Sequence, residues 1–161
     1  MQHFKALLHD EAGTLALGAA LVRTLTPGLT IFLYGELGAG KTALTRALLH
    51  AAGHAGHVKS PTYTLLEPYT ITLAGEPVAV RHFDLYRLGS ADEFLDAGFR
   101  DEFDGRCVCI VEWPEKAAAV LQTPDIAVHL KVVGEGREVE LTALSDLGIE
   151  CLDRLHFFPN L

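Results

Sequence analysis

Two hydrophobic periods alternate along the chain. Leu29 to Tyr34 (LTIFLY) and Arg106 to Val111 (RCVCIV) are short, almost unbroken apolar runs, the pattern of strands buried on both faces. Between them, Leu44, Ala47, Leu48 and Ala51 form one stripe, with Arg46 and His50 outside it. This predicts a helix over Ala43–Ala52, ended by Gly53. From Asp10 to Leu25 the positions Leu15, Gly18, Ala19, Val22 and Leu25 follow helical spacing. Asp10 and Glu11 suit the start of that helix and Pro27-Gly28 stops it. Residues 3–8 fit a short strand. Tyr63–Leu73 and Pro77–Leu88 read as two strands around Ala74-Gly75-Glu76, residues 91–98 as a short helix, and Pro114 opens a helix to about Leu121. Ile126, Val128, Leu130 and Val132, then Val139 and Leu141, alternate with mostly polar neighbours on either side of Gly134-Glu135-Gly136, a hairpin with one wet face. Residues 145–156 fit a final helix or a segment lying on the surface.

Buried runs separated by helices predict an α/β architecture, and the hairpins add antiparallel strands, so the sheet is expected to be mixed. No repeat, low-complexity tract or linker interrupts the 161 residues. The expectation is one domain over 1–161, with 145–161 as a peripheral tail or helix. Apolar residues make up 49% and charged residues 21%, near the globular average, which excludes general disorder. No apolar run approaches the ~18–20 residues that span a bilayer. The first residues, MQHFKALLHDEAG, lack the basic-then-apolar order of a secretory leader. The net charge of −8 argues against a broad grip on phosphate backbones. Any tie to nucleic acid is then local or runs through a partner. Cys107, Cys109 and Cys151 form no framework and read as small buried hydrophobes. His54 and His57 lie in a glycine-rich stretch without a neighbouring cysteine and read as solvated loop residues.

The strongest local signal is Gly35-Glu36-Leu37-Gly38-Ala39-Gly40-Lys41-Thr42, which matches G-x-x-x-x-G-K-[ST]. Several backbone N–H groups must turn inward around one phosphate, a demand that glycine meets at least steric cost. The next helix begins at the loop, so its free N–H groups and positive end face the anion. Lys41 is expected to reach the β- and γ-phosphates and the Thr42 hydroxyl to ligate Mg2+. Chance alone produces such spacing in roughly one in a hundred chains of this size, and the buried strand before it and amphipathic helix after it narrow that further. The N-K-x-D motif of guanine-reading proteins is absent, since the single asparagine is Asn160. ATP is therefore favoured over GTP.

A P-loop ATPase also needs a carboxylate at the end of a neighbouring buried strand. Glu112 ends the run CVCIVE. Asp84 lies in RHFDLYR, where a period of two puts His82, Asp84 and Tyr86 on one face and Phe83 and Leu85 on the other. The expectation is that Glu112 helps hold the metal while Asp84 binds metal-bound water or orients the attacking water; the reverse assignment fits the spacing equally. Trp113 is expected to pack in the core, with partner contact as the alternative. Ser60-Pro61-Thr62-Tyr63-Thr64 lies where nucleotide-sensing loops commonly sit, and its hydroxyls, Thr62 among them, are candidates for the γ-phosphate or metal; an ordinary surface turn uses the same residues. Arg46, Arg81, Arg87, Arg100 and Arg106 are the candidates for neutralising transition-state charge. If none reaches the γ-phosphate, hydrolysis is slow without a partner.

Four blocks together carry a resemblance: LYGELGAGKT (33–42), KSPTYTL (59–65), HFDLYR (82–87) and VEWPE (111–115). In this order and within this length the chain resembles the TsaE (YjeE) family of bacterial tRNA threonylcarbamoyladenosine biosynthesis, over about residues 8–143. The resemblance implies a cytoplasmic ATPase with a P-loop NTPase-like three-layer fold and a mixed parallel/antiparallel sheet. It implies ATP and Mg2+ as cofactors, and TsaB and TsaD homologues as partners that transfer a threonylcarbamoyl group to the adenosine beside the anticodon, tRNA being reached through the complex. Carried over by position, the metal site falls on Thr42 and Glu112, with Asp84 as the family's aspartate. The phosphate loop falls on Gly38 to Thr42, flanked by Gly35, Leu37 and Ala43. Further nucleotide contacts fall on Glu11 or Thr14 and on Gly136-Arg137. Two rival readings remain at this level. One is a small-molecule or nucleoside kinase, with residues 87–106 and their three arginines as a lid. The other is a nucleotide-gated interaction module that hydrolyses little.

Overall fold

In the computed structural model, which describes residues 2–59, 61 and 63–157, seven strands form one mixed sheet in the order β1-β7-β6-β2-β5-β4-β3. The strands are β1 (His3–Leu8), β2 (Thr30–Tyr34), β3 (Leu66–Leu73), β4 (Glu76–Asp84), β5 (Val108–Glu112), β6 (Ile126–Val133) and β7 (Gly136–Ala143). The helices are α1 (Glu11–Val22), α2 (Lys41–Ala51), α3 (Ala91–Asp96) and α4 (Asp146–Asp153). The central strands β6, β2, β5 and β4 run parallel, while β1/β7, β6/β7 and β3/β4 pair antiparallel. The apolar runs at β2 and β5 sit in the middle, where both faces are covered. Pro68, which cannot donate to a ladder, lies on β3 at the sheet's edge, the position that tolerates it.

Alternate residues of each central strand feed two cores. Ile31, Leu33, Val108, Ile110 and Val128 join Leu17 and Leu21 of α1, Leu44 and Leu48 of α2 and Cys151 and Leu152 of α4. On the other face Phe32, Cys109, Val111 and Phe83 meet Phe94 of α3 and Ala117. That second layer reaches only the β2-β5-β4 half. Over β6 the same face stays wet, with His129, Lys131 and Val133 exposed.

Helix α1 crosses α2 at Gly18, where a Cβ would stand 2.6 Å from Ala47 Cβ and 2.8 Å from the Leu48 nitrogen. The absence of a side chain there lets α1 close on the helix that follows the glycine loop.

Several boundaries differ from the sequence expectation. The strand expected over 63–73 starts only at Leu66, because Leu65 takes φ 65° and its N–H bonds the Pro61 carbonyl at 2.8 Å, closing a turn. The strand expected to reach Leu88 stops at Asp84, whose Oδ1 accepts from the Tyr86 N–H at 3.1 Å. The helix expected over 114–121 is a 3-10 turn, Pro114–Ala117. Beyond it the Val120 and Leu121 N–H groups both turn to the Ala117 carbonyl, at 3.0 and 3.1 Å, which closes the segment. Ser145 caps α4 by accepting from the Gly148 N–H at 3.0 Å. Residues 145–157 are a helix and a short extension that bury Cys151, Leu152, Leu155 and Phe157 in the first core, so this part of the expected tail is structural.

Candidate functional site

Strands β2, β4 and β5 end side by side. Leu33 pairs with Glu112, and Asp84 pairs with Glu112. Carboxyl ends of parallel strands are where α/β sheets collect their ligands. The loop from Gly35 to Gly40 leaves β2 there and enters α2. Gly38 and Gly40 take φ 83° and 106°, values that a side chain would strain. Gly40, the residue before α2, points the helix's unpaired N–H groups into the loop. Leu37, Gly38, Gly40, Lys41, Thr42 and Ala43 form one wall of an open cleft of about 420 Å³. Asp84, Tyr86, Arg87, Glu112 and Trp113 form the other.

Lys41 is 5% exposed. Its Nζ donates to the carbonyls of Gly35 and, at 3.1 Å, of Glu36, and lies 4.2 Å from the centre of the Trp113 ring. Burial lowers its pKa, and the carboxylates of Glu112, Glu115 and Asp84 act in the opposite sense. Trp113 reaches this position with φ 57°, ψ 48°. Such a left-handed non-glycine backbone costs of order 1 kcal/mol or more and persists only where its surroundings enforce it. Tyr86 packs on the same indole at 4.9 Å.

Thr42 lies one residue further along α2. Its hydroxyl stands 3.0 Å from each Glu112 oxygen. Glu112 is 2% exposed, and its Oε2 also accepts from His82 Nε2 at 2.6 Å. Asp84 is almost as buried, and burial raises its carboxyl pKa, with Glu112 adding to the rise and the Tyr86 N–H bond opposing it. Hard oxygen donors of this kind suit Mg2+, which takes one or two carboxylates and completes its shell with water and substrate phosphate. Among the described residues no group of three or more His, Cys, Asp or Glu is arranged to hold a metal unaided. A hydroxyl and two carboxylates beside a phosphate loop therefore fit that ion and do not form an all-protein cage.

The other expected site residues are placed as follows. Ala39 is buried beneath the loop, and Gly35 packs so closely that a Cβ would meet the Leu130 carbonyl at 2.7 Å. Arg137 donates from Nε to the Ala39 carbonyl at 3.1 Å and from a terminal nitrogen to the Gly38 carbonyl at 3.3 Å. Gly136 meets the end of β1, where a Cβ would lie 2.6 Å from the Leu8 carbonyl. This pair does not line the cleft; Arg137 holds its loop. Glu11 and Thr14, in the first turn of α1, do not line the cleft either. They follow Leu8, the residue paired with Arg137. Thr62 and Ser60 lie outside the described residues. Among the candidate arginines placed here, Arg87 lines the cleft and rests 4.7 Å over the Tyr63 ring, whereas Arg81 pairs with Glu102 at 2.9 Å.

The expected polar face of β4 is half right. His82 and Asp84 share it, but Tyr86 is beyond the strand and His82 is fully buried. Its contact with Glu112 depends on the β4/β5 register, for which the shared parity of His82 and Asp84 is the one signal in the sequence.

The profile of the family described as "Threonylcarbamoyl adenosine biosynthesis protein TsaE" matches residues 8–139. The chain is 40% identical over 153 residues to the Haemophilus influenzae tRNA threonylcarbamoyladenosine biosynthesis protein TsaE, covering 92% of this chain and 94% of that one. It is 33% identical over 121 residues to the Bacillus subtilis protein of the same name, covering 74% and 73%. The fold is similar to the crystal structure of Bacillus subtilis YdiB, with a TM-score of 0.71 at 24% identity over 95% of this chain and 94% of that one. With the glycine loop, the paired carboxylates and these likenesses in place, the chain belongs to the TsaE family of tRNA threonylcarbamoyladenosine biosynthesis.

Proposed function

We propose that the chain binds Mg2+ and ATP in the cleft between the Gly35–Thr42 loop and the ends of β4 and β5, and hydrolyses the γ-phosphate bond there. The observation that carries the reading is the Thr42 hydroxyl within 3.0 Å of both Glu112 oxygens, beside the glycine loop. A hydroxyl from the first turn of the loop's helix and a carboxylate from a parallel neighbour are the two protein groups that hold Mg2+ in P-loop NTPases.

In this reading the loop's N–H groups and the N-terminus of α2 bind the phosphates. Lys41 exchanges its loop carbonyls for phosphate oxygens, held in place by the Trp113 face. Mg2+, when bound, would supply positive charge against that of the phosphates. Thr42 and Glu112 would hold it, and Asp84, beside Glu112 on the same wall of the cleft, orients water for attack. A carboxyl whose pKa is raised by burial is better suited to accept a proton than an exposed one. Of the five candidate arginines, Arg87 is the one that lines the cleft and so the one proposed to meet transition-state charge.

The kinase reading finds no support in residues 87–106. Phe94, Phe99 and Phe103 from this segment pack against Phe83 of β4 at 6.2, 5.5 and 5.1 Å. They form the second core rather than a mobile lid. The family's role in tRNA threonylcarbamoyladenosine biosynthesis and the acidic charge support a reading in which the chain acts with partners that hold the tRNA, TsaB and TsaD homologues being the proposed ones. The test mixes the protein with purified TsaB and TsaD and measures phosphate release and complex formation. Nucleotide-dependent association and stimulated phosphate release, both lost in Lys41→Ala, are expected. Phosphate transferred to a small acceptor, or no response to the partners, contradicts the proposal.

A further inference from the structure

We propose that His82 is a positioning residue for Glu112, fixing the carboxylate that the proposed Mg2+ site depends on; the inference rests on that reading of the site. His82 sits on β4 two residues before Asp84, and its side chain is 0% exposed. Its Nε2 lies 2.6 Å from Glu112 Oε2. The other ring nitrogen, Nδ1, is buried with no hydrogen-bond partner among the described residues. A buried polar atom left without a partner is destabilising. A leucine or phenylalanine in this core position would avoid that cost. The imidazole is therefore accounted for by what Nε2 does, not by packing.

What Nε2 does follows from the geometry around Glu112. The carboxylate has two side-chain hydrogen-bond partners among the described residues, Thr42 and His82. The Thr42 hydroxyl has one proton, stands 3.0 Å from both oxygens, and selects neither. A single donor shared between the two oxygens does not fix which of them faces the cleft. His82 contacts Oε2 alone and comes from the neighbouring strand rather than from the loop that receives the ligand. Register ties the two together: His82 pairs with Ile110 and Asp84 with Glu112, so the imidazole reaches the Glu112 side chain along the same face of the parallel ladder. Oε1, 3.0 Å from the Thr42 hydroxyl, is the Glu112 oxygen that the imidazole leaves unengaged. Partners that orient a metal-binding group without touching the metal typically affect metal affinity or activity by about 10–100-fold.

The test measures binding, not only turnover. ATP affinity of the folded protein is measured by calorimetry with Mg2+ and with excess chelator, for wild type, His82→Gln and His82→Asn. The glutamine amide nitrogen falls near the Nε2 position and can donate to Glu112; the asparagine amide is too short. Both variants put a neutral polar amide in the same buried position, so they share any general packing defect. The expected result is that Mg2+ tightens ATP binding by a similar factor in wild type and His82→Gln. In His82→Asn that factor falls by about tenfold or more, while affinity in chelator changes little. Equal Mg2+ enhancement in Asn and Gln variants, or loss of affinity in chelator as well, overturns the positioning role. A wild-type protein whose ATP binding ignores Mg2+ instead overturns the underlying metal-site reading.

Discussion

Arg137 offers a quantitative test of how the phosphate loop is held. Its guanidinium reaches across from β7 to two consecutive loop carbonyls, Ala39 at 3.1 Å and Gly38 at 3.3 Å. Tying those carbonyls back fixes the peptide planes of the loop, whose Ala39 N–H donates to the Glu36 carbonyl at 3.0 Å, and with them the direction of the N–H groups that a bound phosphate requires. Hydrogen bonds to charged groups contribute about 1.5–3 kcal/mol when well formed and shielded. Arg137 is half-buried and its second bond is long, so solvent screening reduces the pair to about 1–1.5 kcal/mol. If that ordering must be supplied by the ligand in Arg137→Ala, the dissociation constant for ATP with Mg2+ rises about five- to tenfold. Isothermal calorimetry reads this directly. Arg137→Lys separates shape from charge, because an ammonium keeps the charge and cannot span both carbonyls in the same plane. The lysine variant is expected to retain most of the loss. Full recovery in Arg137→Lys, or an unchanged dissociation constant in Arg137→Ala, would refute the strap and leave Arg137 as a distant charge.

Other expectations follow from single contacts. Gly18→Ala forces a Cβ to 2.6–2.8 Å from Ala47 and Leu48 atoms; overpacking outweighs the gain in helix propensity, and the melting temperature should fall by about 2–6 °C, an unchanged value meaning that α1 and α2 do not cross there. Asp84 has a folded pKa raised above its ordinary 3.8, mainly by burial. The folded state then holds more protons than the unfolded one between those two values, and stability falls as pH rises through that window. Asp84→Asn keeps the acceptor for the Tyr86 N–H, so it should melt higher than wild type at pH 7, converge with it towards pH 4, and lose ATP hydrolysis; equal melting at both pH values contradicts the assignment. The three cysteines are free and buried, and burial pushes each thiol's pKa up. An aromatic disulfide reagent should therefore titrate none of them in the native protein and three after denaturation, and a rapid native reaction speaks against the core packing of Cys107 and Cys109.

Much of this arrangement is legible in the sequence because its signals are local. A buried strand, a glycine turn and an amphipathic helix occupy consecutive residues, so the loop from Gly35 to Thr42 can be read without any knowledge of tertiary contacts. Glu112 is legible for the same reason, as the polar end of an apolar run. The pairing of strands is not local. Nothing in RHFDLYR alone states that β4 lies next to β5 with Asp84 opposite Glu112, and only that register turns His82 from a polar strand residue into a partner of Glu112. Arg137 is similar: the sequence places it after a hairpin turn, and the sheet order β1-β7-β6-β2 brings it to the loop. The boundary errors have a common origin. Tyr63–Leu65 and Leu85–Leu88 are apolar enough to continue their strands, but the turn at Leu65 and the Asp84 side chain's hold on the Tyr86 N–H end the ladder early.

The central claim is that the crook between β2 and α2 takes up the phosphates of ATP with Mg2+. Calorimetric titration of ATP into the folded, Mg2+-supplied protein tests it most directly, with Lys41→Ala as the comparison. Saturable binding at one site per chain, lost or severely weakened in Lys41→Ala while the variant's circular dichroism stays native, is the predicted result. No heat from the wild-type protein, or equal binding by both, would contradict it.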